Sequence, residues 1–180
     1  MGQQNTEQVF KTAFETHSDE LFRHAAMRLS DHERALELTQ ETFLKAWEYV
    51  ARGEEIRQYR SFLYRVLNNL IIDEYRKHKT QSLDAMLENE ETAVYVEAEL
   101  LSDESNPLEE AMVRFEAKYA LEALRVLPDQ YRSVLVMRYV DGLSPTEIAQ
   151  MTQESENAIS VRIHRALKKL RDTLEAFASS

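Results

Sequence analysis

Apolar residues recur every third or fourth position along most of this chain, and short polar intervals separate the periodic stretches, so the pattern predicts helices throughout. Val9, Phe10, Phe14, Leu21, Phe22, Ala25 and Leu29 mark the inner side of a helix over about 6–29. Ser30-Asp31-His32-Glu33 reads as a capping box that opens a second helix, running to about Val50. Its stripe is Ala35, Leu38, Thr42, Phe43, Ala46, Trp47 and Val50. A charged loop after Gly53 leads to a third helix, about 61–79, which should bury Phe62, Leu63, Val66, Leu67, Leu70 and Ile71. Beyond a long acidic interval, Asn106-Pro107-Leu108-Glu109 caps a helix that must stop before Pro128. A further helix from about Asp129 ends at Asp141-Gly142, where glycine supplies a left-handed turn.

The stretch 142–171 is the most informative. Ser144 caps a short helix, Pro145 fits its first position and Glu147 completes a Ser-x-x-Glu box. Ile148, Ala149 and Met151 give it a small apolar face, 152–154 form a polar break, and Ser155 offers a second cap. Ile159, Ile163, Ala166, Leu167, Leu170 and Leu174 then recur at helical spacing and face a core. The opposite side carries Asn157, Ser160, Val161, His164, Arg165 and Lys168, with Arg162, Lys169 and Arg171 at its flanks. A basic amphipathic helix is often only a solvated surface. Here it follows a capped helix and a tight turn, which is the arrangement of a DNA-reading helix-turn-helix.

Composition narrows the chemistry. The 180 residues suit one or two small domains and include no cysteine, hence no disulfide, thiolate metal site or cysteine nucleophile. With three glycines there is no glycine-rich phosphate cradle. The five histidines (His17, His24, His32, His78, His164) lack metal-ligand spacing, so neither a metal nor another cofactor is expected, nor any enzymatic activity or small-molecule substrate. No long apolar run or charged-then-apolar leader occurs, so a cytoplasmic location without direct membrane insertion is expected.

The net charge of −10 is local in origin. Residues 1–80 hold 12 Lys/Arg against 13 Asp/Glu, and residues 111–180 hold 10 against 9. Residues 81–110 hold ten carboxylates and no Lys or Arg. The expected architecture is therefore all-α: two small, nearly neutral helical domains, 6–80 and 107–177, joined by an acidic flexible linker, 81–106.

Two blocks resemble a known family. Leu38-Thr39-Gln40-Glu41-Thr42-Phe43-Leu44-Lys45-Ala46-Trp47 is similar to the polymerase-binding helix in region two of bacterial sigma factors. Leu127-Pro128 through Arg132, Arg138-Tyr139, Gly142-Leu143-Ser144, Glu147-Ile148-Ala149 and 162–170 resemble their region four. Having only these two regions, the chain resembles the small extracytoplasmic-function (group-four) members of the sigma-70 family, over about 8–80 and 107–175.

The resemblance implies a subunit that binds core RNA polymerase, directs it to promoters and aids strand opening. Glu37, Gln40, Glu41 and Leu44 would dock on a polymerase coiled coil; without the family context they read as a solvated helix face. Tyr59, Arg60, Tyr64, Arg65, Asn69, Asp73, Arg76 and Lys77 would read and melt the downstream (−10) element. Stacking surfaces and cations suit a single strand, although Phe62 and Tyr64 can equally be core. Ser155, Asn157, Ala158, Ser160, Val161, Arg162, His164, Arg165 and Lys168 would contact the duplex of the upstream (−35) element. The chain departs from the family pattern at Leu36-Glu37, Phe62, Asn68, Asn157-Ala158 and Ser160, which bears on promoter preference rather than class. In the family the linker threads the polymerase's cleft; the alternative here is a solubilising tether. An anti-sigma factor is a further implied partner, and would allow retention at the membrane. Competing readings are a sigma-mimicking decoy that occupies an anti-sigma factor without binding promoter DNA, and an ordinary helix-turn-helix regulator. The first leaves the cationic helix without a purpose, and the second leaves the Gln40-Glu41-Thr42-Phe43 block unexplained.

Overall fold

Every regular element among the described residues of the computed structural model is helical; it describes residues 2–29, 31–79 and 117–178. The order is α1 (Gly2–Leu29), α2 (His32–Ala51), α3 (Tyr59–Lys79), α4 (Ala117–Val126), α5 (Asp129–Leu135), α6 (Pro145–Thr152) and α7 (Glu156–Ala178). A π-helical segment, Val136–Val140, continues α5. The acidic linker and the Asn106-Pro107 cap lie outside the described residues.

Helices α1, α2 and α3 pack on one another to form the first domain. Leu21, Ala25, Ala35, Leu38, Phe43, Ala46, Leu63, Leu67 and Ile71 fill its interior. Burying each such leucine contributes roughly 2–3 kcal/mol. Thr39 and Thr42 share this buried face because their hydroxyls donate to the carbonyl oxygens of Ala35 (2.8 Å) and Leu38 (2.7 Å), so neither is left without a partner. Helix α2 starts one residue later than its predicted cap. Asp31, rather than Ser30, accepts a hydrogen bond from the Arg34 N–H at 3.0 Å. Both residue types are competent caps, and the helix begins after the second.

Two apolar positions of α1 differ from the predicted pattern. Val9 and Phe14, read from spacing as inward, are 44% and 47% exposed. Between residues 6 and 20 only Ala13 is buried. Phe10 and Phe14 lie edge-on against Trp47 and Phe43 of α2, at ring separations of 5.1 and 4.8 Å. The C-terminal half of α1 is enclosed on a second side as well. His24 and Arg28 are fully buried there, against α3 and the second domain.

In the second domain α7 is the spine, packed by α4, α5 and α6. Ile159, Ile163, Ala166, Leu170 and Leu174 are all buried, as their spacing predicts. The helix that starts at Asp129 ends at Asp141-Gly142 as expected, but its last turn is widened. Asp141 N–H reaches back five residues to the Val136 carbonyl (3.0 Å), and Leu143 N–H bonds the Met137 carbonyl (2.9 Å). Gly142, at φ +69°, makes the reversal that this closure needs.

Candidate nucleic-acid interface

The helix-turn-helix is built from local hydrogen bonds. Ser144 Oγ accepts from the Glu147 N–H at 3.2 Å, and a Glu147 carboxylate oxygen accepts from the Ser144 N–H at 2.7 Å, completing the box read from sequence. The chain leaves α6 through Gln153, at φ +60°, and the Glu154 N–H bonds the Ala149 carbonyl at 3.1 Å. Ser155 Oγ then accepts from the Ala158 N–H at 3.2 Å and starts α7. Arg162 reaches back across the turn and binds both carboxylate oxygens of Glu154. Thr146 donates to Glu156 at 3.0 Å. The Thr146–Glu156 bond links α6 to α7, and the Arg162–Glu154 pair ties the turn to α7.

The box and the bridge hold their carboxyls below the ordinary glutamate range, through the Ser144 hydrogen bonds at Glu147 and the Arg162 guanidinium at Glu154. Because these folded-state values are depressed, the stabilisation is complete above the ordinary glutamate range and is lost as pH falls through the depressed values. Ser144→Ala should cost about 1 kcal/mol, read as a lower urea midpoint at neutral pH, and the difference from wild type should shrink in acid.

The outer face of α7 presents Asn157, His164 and Lys168 exposed, with Ala158, Ser160, Val161 and Arg165 half-buried beside them. Arg162 is committed to Glu154, and Ser155 to capping, so both lie on this face with structural partners. Lys169 sits over the Tyr131 ring at 5.3 Å. The face is polar and cationic, and the opposite side is wholly apolar.

On α2, Glu37, Gln40 and Leu44 are exposed and Glu41 is half-exposed, all on the side away from the core. Arg34 bridges Glu74 and Glu37 at 2.6 Å each, which pushes its guanidinium further into the charged form and fixes the Glu37 carboxylate. Glu41 pairs with Lys45 at 3.5 Å. Leu36, Leu44 and Trp47 are exposed apolar residues on this helix, and Phe10 of α1 packs on Trp47.

On α3 the residues assigned to the single strand divide. Arg65, Asn69, Asp73, Arg76 and Lys77 are exposed, and Arg65 lies over the Phe62 ring at 5.5 Å. Tyr59 and Arg60 are half-buried. Tyr64 is 1% exposed, edge-on to His24 at 5.3 Å. Burial, with the Asp141 and Glu20 carboxylates nearby, pushes its phenol up. Asn68 is buried as well and accepts from Arg28 at 2.6 Å, so Asn69 is the asparagine left at the surface.

Two family models match the chain: Sigma-70 region 2 over residues 13–81 and Sigma-70, region 4 over residues 117–170. Together they span about two thirds of its length, in the order and spacing of the two helical domains. The chain belongs to the sigma-70 family, among its extracytoplasmic-function (ECF) sigma factors. It is 29% identical to the ECF RNA polymerase sigma factor SigW of Bacillus subtilis over 168 residues, which cover 92% of this chain and 89% of that one. It is 27% identical to the ECF sigma factor SigL of Mycobacterium tuberculosis, over 93% and 89% of the two chains. Among solved structures it shares the fold of the sigma factor RpoE in its complex with the anti-sigma factor NepR from Bartonella quintana. That match has a TM-score of 0.67 at 20% identity and covers 93% of this chain and 98% of the other.

As a sigma factor in transcription initiation, the chain uses α1–α3 as region 2 and α4–α7 as region 4. Sequence reasoning missed two features of this sigma factor's surface and seam. The exposed Val9 and Phe14 follow helical spacing, and spacing alone does not tell a covered face from an uncovered one. His24 and Arg28 look like surface residues by type, and their carboxylate partners stand more than 100 positions away.

Proposed function

We propose that three helical faces divide the work of initiation. The outer face of α2, with Glu37, Gln40, Glu41 and Leu44, docks on core RNA polymerase. Its mixture of exposed apolar and acidic groups suits a basic partner helix. The exposed face of α3, with Arg65, Asn69, Asp73, Arg76 and Lys77, engages the opened strand of the −10 element, and Tyr59, Arg60 and Tyr64 join it when region 4 moves away. The outer face of α7 enters the major groove at the −35 element. The observation that carries this reading is α7 itself: a capped helix after a bridged turn, apolar inside and cationic outside, on a chain whose net charge is −10. A decoy would have no use for that face.

The chain itself catalyses nothing in this reading; the chemistry is the polymerase's. It works in the cytoplasm, where its polymerase and promoters are, and no helix among the described residues is long and apolar enough to cross a membrane. An anti-sigma factor is a further proposed partner, supported by the complex in which the related RpoE fold is bound to NepR.

Co-elution of the purified chain with core polymerase tests the docking, and strand opening is tested at Asn69. Asn69→Ala removes a polar group from the strand-facing side without disturbing the core. Closed complexes should form normally and opening should slow several-fold, with partial recovery on a template that carries a premelted bubble. Permanganate reactivity of promoter thymines equal to wild type would place Asn69 outside the melting face.

A further inference from the structure

Asn157, Val161, His164 and Lys168 follow one another at helical intervals and form a single row on α7, opposite the buried Ile159, Ile163, Ala166 and Leu170. Around the start of this row the other polar side chains are already engaged. Ser155 caps the helix, Arg162 holds Glu154, and Thr146 donates to Glu156. The Asn157 amide is exposed and makes no hydrogen bond among the described residues. Beside it on the outer face stand Ala158, Ser160 and Val161, all of them small. A helix with short side chains at its leading end can come close enough to base edges for an asparagine to reach them. The longer His164, Arg165 and Lys168 stand about two turns or more further along.

We propose that Asn157 specifies an adenine in the −35 element and that Val161 packs on a thymine methyl close to it. This readout rests on the placement of α7 in the major groove proposed above. It belongs to this chain in particular, because Asn157-Ala158 and Ser160 are positions where it departs from the family pattern. An asparagine amide offers one acceptor and one donor side by side. Adenine presents the matching pair in the major groove: its N6 amino group donates to the amide oxygen, and its N7 accepts from the amide nitrogen. Guanine presents two acceptors, O6 and N7, and leaves the amide oxygen facing another oxygen. Val161 is the apolar member of an otherwise polar row, and the apolar group that the groove offers it is the thymine methyl. Four residues of helix rise about 6 Å, a little under two base-pair steps of about 3.4 Å, so the two contacts fall within about two base pairs of each other.

A promoter drawn from genomic fragments, its upstream element randomised and each template barcoded in the transcribed stretch, reports base preference when core polymerase and the full chain initiate on it. The wild type should favour adenine at one position and thymine at a second within about two base pairs. Asn157→Ala should lower the adenine preference about fivefold or more, the loss of a bidentate contact, and keep the preferences at other positions. Those retained preferences show that region 4 of the variant is folded. Asn157→Arg should turn the same position to guanine, whose two acceptors suit a guanidinium. Placing 7-deazaadenine there removes N7, and should cost the wild type several-fold while leaving Asn157→Ala unaffected. Deoxyuridine in place of the thymine should likewise cost the wild type and spare Val161→Ala. Upstream preferences without an adenine, or an adenine preference unchanged in Asn157→Ala, would overturn the role of Asn157. A thymine preference unchanged in Val161→Ala would overturn that of Val161. The base analogues act on the unaltered chain, so they decide the matter even if a variant loses every upstream preference: no cost to the wild type overturns the contact. Discrete transcripts with no preference at any upstream position would instead count against the placement of α7 in the groove, and the adenine readout would fall with it.

Discussion

Replacing Leu44 with arginine should weaken capture of core polymerase by about 30-fold or more, the effect of removing a central anchor worth at least about 2 kcal/mol. Leu44 is 57% exposed on α2, so it contributes little to the fold, and the substitution should leave the urea midpoint within a few tenths of a molar of wild type. Its neighbours on the same face are Glu37, Gln40 and Glu41. A cation placed among them would be repelled by a basic partner helix, and the apolar contact would be lost as well. The comparison that isolates docking is Trp47→Ala. Trp47 is 37% exposed and packs on Phe10, so its loss should lower stability along with binding. Leu44→Arg binding core as the wild type does, with its fold intact, would remove α2's outer face from the docking surface.

A second large effect is expected on α7. Arg165→Ala should reduce transcription from a promoter that depends on its −35 element by about 5- to 150-fold, the range of a lost base contact of about 1–3 kcal/mol. Core binding should be unchanged, because α7 lies in the other domain. His164→Ala and Lys168→Ala, at exposed positions of the same face, should have smaller effects. A phosphate contact at Lys168 would weaken binding to all sequences alike and lower its salt dependence. Arg162→Ala should behave differently from all three. Arg162 is bound to Glu154 across the turn, so its loss should lower the stability of region 4 before it alters sequence preference.

Helix α7 also shows what could be read from the sequence. Helical spacing separates the buried Ile159, Ile163, Ala166, Leu170 and Leu174 from the polar face, because one side of α7 meets a single core. The Ser144–Glu147 box is equally legible, since every partner lies within three residues. Local chemistry of that kind fixes the helix-turn-helix almost completely. That Arg162 pairs with Glu154 across the turn is a matter of tertiary placement, and nothing in its spacing announces it. Ser30 and Asp31 present two adjacent caps, and the choice between them depends on where α2 meets the core. The largest gap is the seam between domains. His24 and Arg28 share the inner face of α1 with Leu21 and Ala25, but their polar type hides it, and their acidic partners Asp141 and Asp129 lie in the other domain. The π-helical turn that aims Asp141 closes through backbone bonds to Val136 and Met137, which carry no side-chain signature.

The central claim is that this chain, by itself, confers promoter-specific initiation on a polymerase core. Run-off transcription with purified bacterial core and a pool of genomic promoter fragments tests it most directly. Core alone should give no discrete transcripts, and core with this chain should give transcripts of defined length whose start sites share an upstream and a downstream element. Loss of those transcripts with Leu44→Arg and with Arg165→Ala would tie them to the two faces described. Stable binding of the chain to core with no discrete start site on any fragment would contradict the account.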